Sequence, residues 1–372
     1  MGMVWLAKND TSFSALRGPN HDPSTTFPAS TASASRKSGP RNLDCGSLIV
    51  ETTIDQENPT SAPLLQCKIA GAQNCQFSLS IDADGSTTAL LRLGDTCCRL
   101  RVVGDTSQLQ TQLRITFSWD VQNNTALLSA ETPENGSLSQ AETNAPLPMP
   151  LEVIDALLAQ KPPASVHASV TFMGVSDQIE PVGFAPSIAK QSLIETPSGL
   201  MPIENLLCGD LVTTADNGPQ PIRWICERTV PTRGLFQPLR LRAPFFGLKQ
   251  DVLVAPEQRL VFENTEIEYL FGVESVLVEA RHLANNVNVI RETACEDSIS
   301  LFQLLFDEHE IITASGCQME SLFIGQIADH PEMLKSTLLA GLLPTDVPYH
   351  KEIARPLLRS YEAMALQKGV FH

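Results

Sequence analysis

The feature that most constrains this chain is a two-residue alternation of apolar and polar side chains, repeated in short runs. Leu113, Ile115, Phe117 and Trp119 alternate with Arg114, Thr116 and Ser118, and Phe77, Leu79 and Ile81 do the same before the turn Asp82-Ala83-Asp84-Gly85. A period of two puts one apolar face on a strand, whereas a helix needs a period of 3.6. Similar runs at 47–53, 89–93 and 99–103, with a closing strand over 168–173, predict an antiparallel sandwich of jelly-roll type across 44–178. One helix is expected over 148–158. The Asp-Ala-Asp-Gly turn has too few oxygen ligands, and its glycine comes too early, for an EF-hand calcium loop, so it reads as a hairpin turn.

On either side the pattern changes. Residues 8–43 are rich in Ser, Thr and Pro without hydrophobic period, so residues 1–43 read as a disordered tail that cannot offset its ordering entropy. Residues 179–192 (IEPVGFAPSIAKQS) form a joint, and short strands resume over 193–328. The extension 329–372 predicts two helices. The first covers 330–342, with Asp329 as its cap and Pro331 in its first turn; the second covers 350–366 and is interrupted near Pro356. The expected fold class is therefore mainly β: an antiparallel β-sandwich followed by a second all-β domain with short C-terminal helices.

Composition removes several functions. Asp plus Glu number 42 against 26 Lys plus Arg, a formal charge of −16, and the resulting field repels phosphate, so neither nucleic acid nor an anionic membrane is expected as partner. No run approaches the ~18 apolar residues of a membrane span, so no membrane insertion is expected. The first ten residues lack a basic stretch before their short apolar run, and Leu6 stands where myristoylation favours Ser or Thr. The expected location is the cytoplasm, or the exterior by a route independent of a signal peptide. The nine cysteines are odd in number and contain no CxxC pair, which argues against zinc and against a complete disulfide set. Reduced thiols are expected, with a disulfide at Cys97-Cys98 left open. No P-loop, GxGxxG, GxSxG or HExxH occurs, so no cofactor and no metal is expected. Arg223, Arg240, Arg242 and Arg259 read as strand-associated basic residues with acidic neighbours and not as a nucleic-acid patch, and Trp224, Phe245, Phe246 and Tyr269 read as core residues.

Four segments in fixed order carry a family resemblance: LIETPSGLMPIENLLCGDLVTTADNGPQPIRWI, LVAPEQRLVF, ARHL and LLFDEHEIITASGCQMESL. Across about 187–325 they resemble the bacterial Hint domains, relatives of hedgehog autoprocessing domains and inteins. The resemblance implies a compact all-β fold and an acyl shift. In that chemistry a first-position cysteine or serine attacks the preceding carbonyl, and a histidine in a T-x-x-H motif protonates the leaving amine. Counting back from Thr196-Pro197 without gaps puts the first position on Ser187; a gapped count puts it on Gly183. The T-x-x-H motif falls on Ala255-Pro256-Glu257-Gln258. Serine is a poorer nucleophile than a thiolate, and glutamine cannot shuttle a proton at neutral pH. His309, two residues after Asp307, matches a histidine of the later block, and His282 reads as structural.

The resemblance therefore points to a degenerate Hint protein, with Ser187, Gln258 and His309 as vestigial catalytic positions. Such a protein acts as a binding or structural module for a protein or glycan partner. The alternative is slow Hint-type self-cleavage through an N–O acyl shift at Ser187. The strand rhythm of 44–178 and its ITFSWD segment also resemble concanavalin A-like and laminin-G-like sandwiches. That likeness implies carbohydrate or protein-surface binding, and no sugar-binding residues carry over.

Overall fold

A computed structural model describes residues 3–9, 12–17, 41–55, 63–71, 74–82, 84–103, 110–133, 136–293, 296–325, 327 and 330–370. The chain divides into two compact units, Met1–Gly183 and Phe184–His372.

In the first unit the alternating runs become two antiparallel sheets. The larger runs, in spatial order, Ser137–Thr143, Thr125–Thr132, Gln110–Asp120, Cys45–Asp55, Val170–Ser176, Met3–Asn9 and Ser12–Arg17. The smaller runs Ala164–Val166, Leu65–Ile69, Cys75–Ile81, Thr87–Leu93 and Thr96–Val102. The alternation decides which side chains lie between the sheets. Ile115, Phe117 and Trp119 from one sheet and Phe77, Leu79 and Leu91 from the other belong to a single buried cluster. Phe117 touches both Phe77 and Trp119, at ring-centroid distances of 6.1 and 5.6 Å. Trp119 settles its one polar atom by donating Nε1–H to Leu43 O at 2.9 Å. Gly46 is required beside it, because a Cβ there would come within 2.8 Å of the indole. The expected helix forms as Leu151–Ala159 and buries Val153, Ile154 and Leu157.

Two sequence expectations change here. Within the stretch read as a disordered tail, Met3–Asn9 pairs with Val170–Ser176 and turns back into Ser12–Arg17. The short apolar run at the start, too brief for a helix, suits a strand, while residues 18–40 of that stretch lie outside the described residues. Strands Leu65–Ile69, Thr125–Thr132 and Ser137–Thr143 were not anticipated, since polar residues dilute their alternation. The turn after Ile81 is a hairpin connection in which Gly85 N donates to Asp82 O at 2.9 Å, with Gly85 at φ 77°; Ala83 lies outside the described residues. All eight described cysteines are free thiols, and Cys295 lies outside the described residues.

The second unit holds a six-stranded sheet in the order Trp224–Pro231, Ser298–Leu305, Ile188–Ala189, Val252–Val254, Leu239–Leu241, Val289–Arg291. An eight-stranded sheet runs Gly199–Pro202, Leu193–Thr196, Ile311–Ala314, Cys317–Glu320, Arg259–Glu263, Ser275–Glu279, with the hairpin Leu211–Thr214/Gly218–Pro221 attached at Ile311–Ala314. Side chains from both sheets share one core, among them Ile188, Val254, Leu260, Val278, Phe302, Leu304 and Ile312. The helix Thr265–Phe271 was unanticipated; Asn264 caps it by accepting from Ile267 N at 2.8 Å, and Gly272 ends it at φ 70°.

The C-terminal stretch is less helical than expected. Only Pro331–Leu334 forms in its first half, with no side-chain cap at His330; Asp329 lies outside the described residues. The second helix begins at Ser360, beyond Pro356, and Pro356 O and Leu358 N bracket Leu277 in a parallel bridge. Two of the aromatic residues read as core are exposed: Tyr269 at 88% and Phe245 at 38%.

Candidate functional site

Ser187 is placed by the six-stranded sheet. Its N–H donates to Phe302 O at 3.2 Å, and its carbonyl accepts from Ala255 N at 2.7 Å, one residue before Ile188 pairs with both Val254 and Phe302. The turn Ala255–Gln258 then closes on itself, with Gln258 N donating to Ala255 O at 3.1 Å, which swings the Gln258 side chain back toward Ser187. Ser187 Oγ–H donates to Gln258 Oε1 at 2.5 Å and has a second approach of 3.1 Å to Gln303 Oε1.

The amide orientations follow from their nitrogens. Gln258 Nε2 donates to Arg259 O at 2.9 Å and approaches Glu320 O at 3.4 Å; Gln303 Nε2 donates to Glu320 O at 3.1 Å. With both nitrogens committed to carbonyls, both oxygens face the hydroxyl. Ser187 has one proton and two acceptors, and both acceptors are neutral amides. Ser187, Ala255, Gln258 and Gln303 are all buried. Thus the ungapped count and the second motif meet in space. Gly183, the gapped alternative, instead donates its N–H to Glu131 Oε1 at 2.8 Å.

His309 lies elsewhere in the same network. Its Nδ1 accepts from Ala354 N at 3.0 Å, which leaves the other ring nitrogen, Nε2, 3.4 Å from Glu320 Oε2. Its ring packs 5.0 Å from Phe323 and 6.2 Å from His350. Its polar partners are therefore Ala354 and Glu320. Asp307 does not serve it, but forms a forked pair with Arg223 at the surface, at 2.7 and 2.5 Å. His350 is held similarly: Nδ1 accepts from Ile324 N at 3.3 Å and Nε2 donates to Phe306 O at 3.1 Å. Burial pulls His350 down to about 4, with His309 adding to the effect.

Glu320 links this site to an ionic cluster that sequence reasoning missed. Its carboxylate lies 3.1 Å from Arg259 Nη1, and Arg259 Nε is 3.7 Å from Glu279 Oε1. Glu279 meets Arg281 Nε at 2.9 Å and His282 Nε2 at 3.5 Å, while Arg281 reaches Glu257 at 3.6 Å. Burial pushes Glu279 up to about 7 even though both arginines pull the other way. Burial likewise lowers His282, with Arg281 contributing. The readable signal was parity: Arg259 and Glu279 are directly opposed in register, as ion pairs across strands often are. Gln303 also left a trace, as the lone polar residue in LFQLLF. The buried thiols supply no substitute nucleophile, since burial pushes both Cys226 and Cys317 up to about 12. Among the described residues no group of three His, Cys, Asp or Glu side chains is arranged to hold a metal.

Comparison with known families matches residues 186–326 to the Hint domain. Comparison with curated protein sequences finds no match. Among solved structures, the bacterial intein-like domain from Clostridium thermocellum is 16% identical, covering 37% of this chain and 100% of that one, with a TM-score of 0.26. The CBM40 of the Ruminococcus gnavus IT-sialidase is 17% identical, covering 37% of this chain and 78% of that one, with a TM-score of 0.25. The LG1-3 region of the laminin α2 chain is 10% identical, covering 86% of this chain and 54% of that one, with a TM-score of 0.24. The motif order, the all-β second unit and the family match agree: residues 186–326 are similar to the Hint domain.

Proposed function

We propose that the Hint domain is silent in autoprocessing and that the protein serves as a binding or structural module for a protein or glycan partner. The observation that carries this reading is the 2.5 Å hydrogen bond from Ser187 Oγ to the amide oxygen of Gln258. An N–O acyl shift would form an ester bond from Ser187 Oγ to the Pro186 carbonyl carbon and break the Pro186–Ser187 C–N bond. The hydroxyl proton must leave, and a proton must reach the departing amine. Gln258 Oε1 accepts the hydrogen bond but does not take the proton at neutral pH, so the shift has no base at its start and no acid at its end. Burial of the hydroxyl also keeps water and external thiols from resolving an ester.

The test is intact mass after incubation of the purified chain with hydroxylamine or a thiol. An unchanged mass is expected. Fragments split before Ser187, absent from Ser187→Ala, would establish slow self-cleavage and sink the silent reading. The triple variant Ser187→Cys, Ala255→Thr, Gln258→His replaces the three departures from the family pattern, and hydroxylamine-dependent cleavage before position 187 is the expected gain. A partner screen with the full chain then addresses the binding role.

A further inference from the structure

The outer face of the five-stranded sheet in the first unit has a charge opposite to that of the chain. The strands Ala164–Val166, Leu65–Ile69, Cys75–Ile81, Thr87–Leu93 and Thr96–Val102 contain no Asp or Glu, in a chain with 42 of them. Period-two alternation turns Phe77, Leu79, Ala89, Leu91, Cys98 and Leu100 inward and leaves Lys68, Arg92, Arg99 and Arg101 exposed on the other face.

Register sets the spacing of these cations. Lys68 is opposite Gln76, Gln76 is opposite Arg92, and Arg92 is opposite Cys97, so Arg99 is the diagonal neighbour of Arg92. Diagonal neighbours stand roughly 7–8 Å apart, and Lys68 lies two strand spacings, roughly 10 Å, from Arg92. Arg101 is engaged by Asp84 at 2.7 Å and Asp82 at 3.7 Å. Lys68, Arg92 and Arg99 have no carboxylate within ion-pair reach among the described residues.

We propose that this face binds an anionic polysaccharide, one bearing sulfate or carboxylate groups along its length. Guanidinium groups grip such oxygens in forked pairs, and Gln76 and Ser78 between the cations offer partners for sugar hydroxyls. A docked protein segment would need an apolar anchor in a pocket, and besides the small Cys97 thiol the one apolar side chain at an outward position of these strands is Leu90, itself partly covered. Duplex DNA carries a charge about every 1.7 Å, and the net −16 of the chain repels so dense a polyanion. A polysaccharide with one acidic group or fewer per sugar spaces its charges more widely than duplex DNA and engages the face locally. The inference stands apart from the state of the Ser187 site.

The experiment measures binding of the full chain to lightly substituted dextran sulfate, polygalacturonate, neutral dextran, polyglutamate and a DNA duplex, at low and at moderate salt. Binding to dextran sulfate, polygalacturonate or both is expected, weakened by salt, with neutral dextran inert; the first two arms separate sulfate from carboxylate recognition. Arg92→Glu with Arg99→Glu is expected to weaken that binding by about tenfold or more, while Lys351→Glu, an exposed cation of the second unit, leaves it unchanged. The milder pair Arg92→Gln and Arg99→Gln, checked by circular dichroism, serves if charge reversal disturbs folding. The proposal is overturned if neither anionic polysaccharide binds, or if binding ignores Arg92 and Arg99. It is also overturned if polyglutamate or DNA binds as tightly, which would identify a protein or nucleic-acid partner instead.

Discussion

Two polar clusters meet at Glu320 and differ in kind. Its backbone carbonyl takes the amide hydrogens of Gln258 and Gln303, whose oxygens face Ser187, so that cluster is neutral throughout. Its carboxylate faces Arg259 and His309, and through Arg259 reaches Glu279, Arg281 and Glu257, so that cluster is ionic. Both are buried. A neutral cluster loses only hydrogen bonds when a member is removed, whereas an ionic one strands a charge away from water. The difference teaches that the cluster around Ser187, free of charge, is the quieter of the two.

The largest test of that contrast is Arg259→Met. It removes the cation shared by Glu279 and Glu320 and is expected to cost the second unit about 3–5 kcal/mol, read by urea unfolding with hydrogen exchange over Arg259–Glu263. A loss below about 1 kcal/mol would mean that the two carboxylates do not depend on it, and the contrast would fail.

Next comes pH. Glu279 is raised from 4.5 to about 7, so its contribution is fully present below about 4.5 and is lost as pH rises through about 7. That slope amounts to about 3 kcal/mol and should vanish in Glu279→Gln. His350 has the opposite sign: lowered from 6.5 to about 4, it contributes stability above about 6.5 that is lost as pH falls through about 4. Between about pH 4.5 and 6.5 the two slopes oppose and largely cancel, so the profile of the second unit should be shallow there, and Glu279→Gln should uncover a rise in stability with pH; a variant profile as shallow as the parent's would exclude Glu279 as the opposing group.

Smaller effects belong to the neutral cluster. Gln258→Leu leaves Ser187 Oγ only its 3.1 Å approach to Gln303 Oε1 and removes the hydrogen bond to the carbonyl of Arg259, an expected loss of about 1–3 kcal/mol with the same pH profile as the parent. Ser187→Ala removes one donor and is expected to cost about 1 kcal/mol. If either variant changed the pH profile, the separation of the clusters would be wrong.

Much of this was legible beforehand. The strand Gln110–Asp120 follows from the Leu113–Trp119 alternation, and Ser187 and Gln258 follow from motif order before any distance between them is known. What escaped was non-local or weakly patterned. Gln303 and Glu320 lie 116 and 62 residues from Ser187 and Gln258 respectively, and no local period announces such contacts. Ser137–Thr143 (SLSQAET) has too few apolar residues to show which face turns inward. His309 was found by family position, and its contact with Ala354 N, 45 residues away, is one that no local pattern announces. The helix Thr265–Phe271 was short, but Asn264 and Gly272 marked both its ends.

The bridge between Leu277 and residues 356–358 also sets an order of biogenesis. During synthesis the strand Ser275–Glu279 leaves the ribosome well before Pro356 and Leu358, whose O and N flank Leu277. Leu358, Ala363 and Leu366 also fill the core that Val276 and Val278 help to build. Until they arrive, a nascent chain carries an apolar strand with an open edge, the template on which another chain can pair. A premature stop between codons 279 and 356 would therefore release an aggregation-prone fragment rather than a shortened working protein.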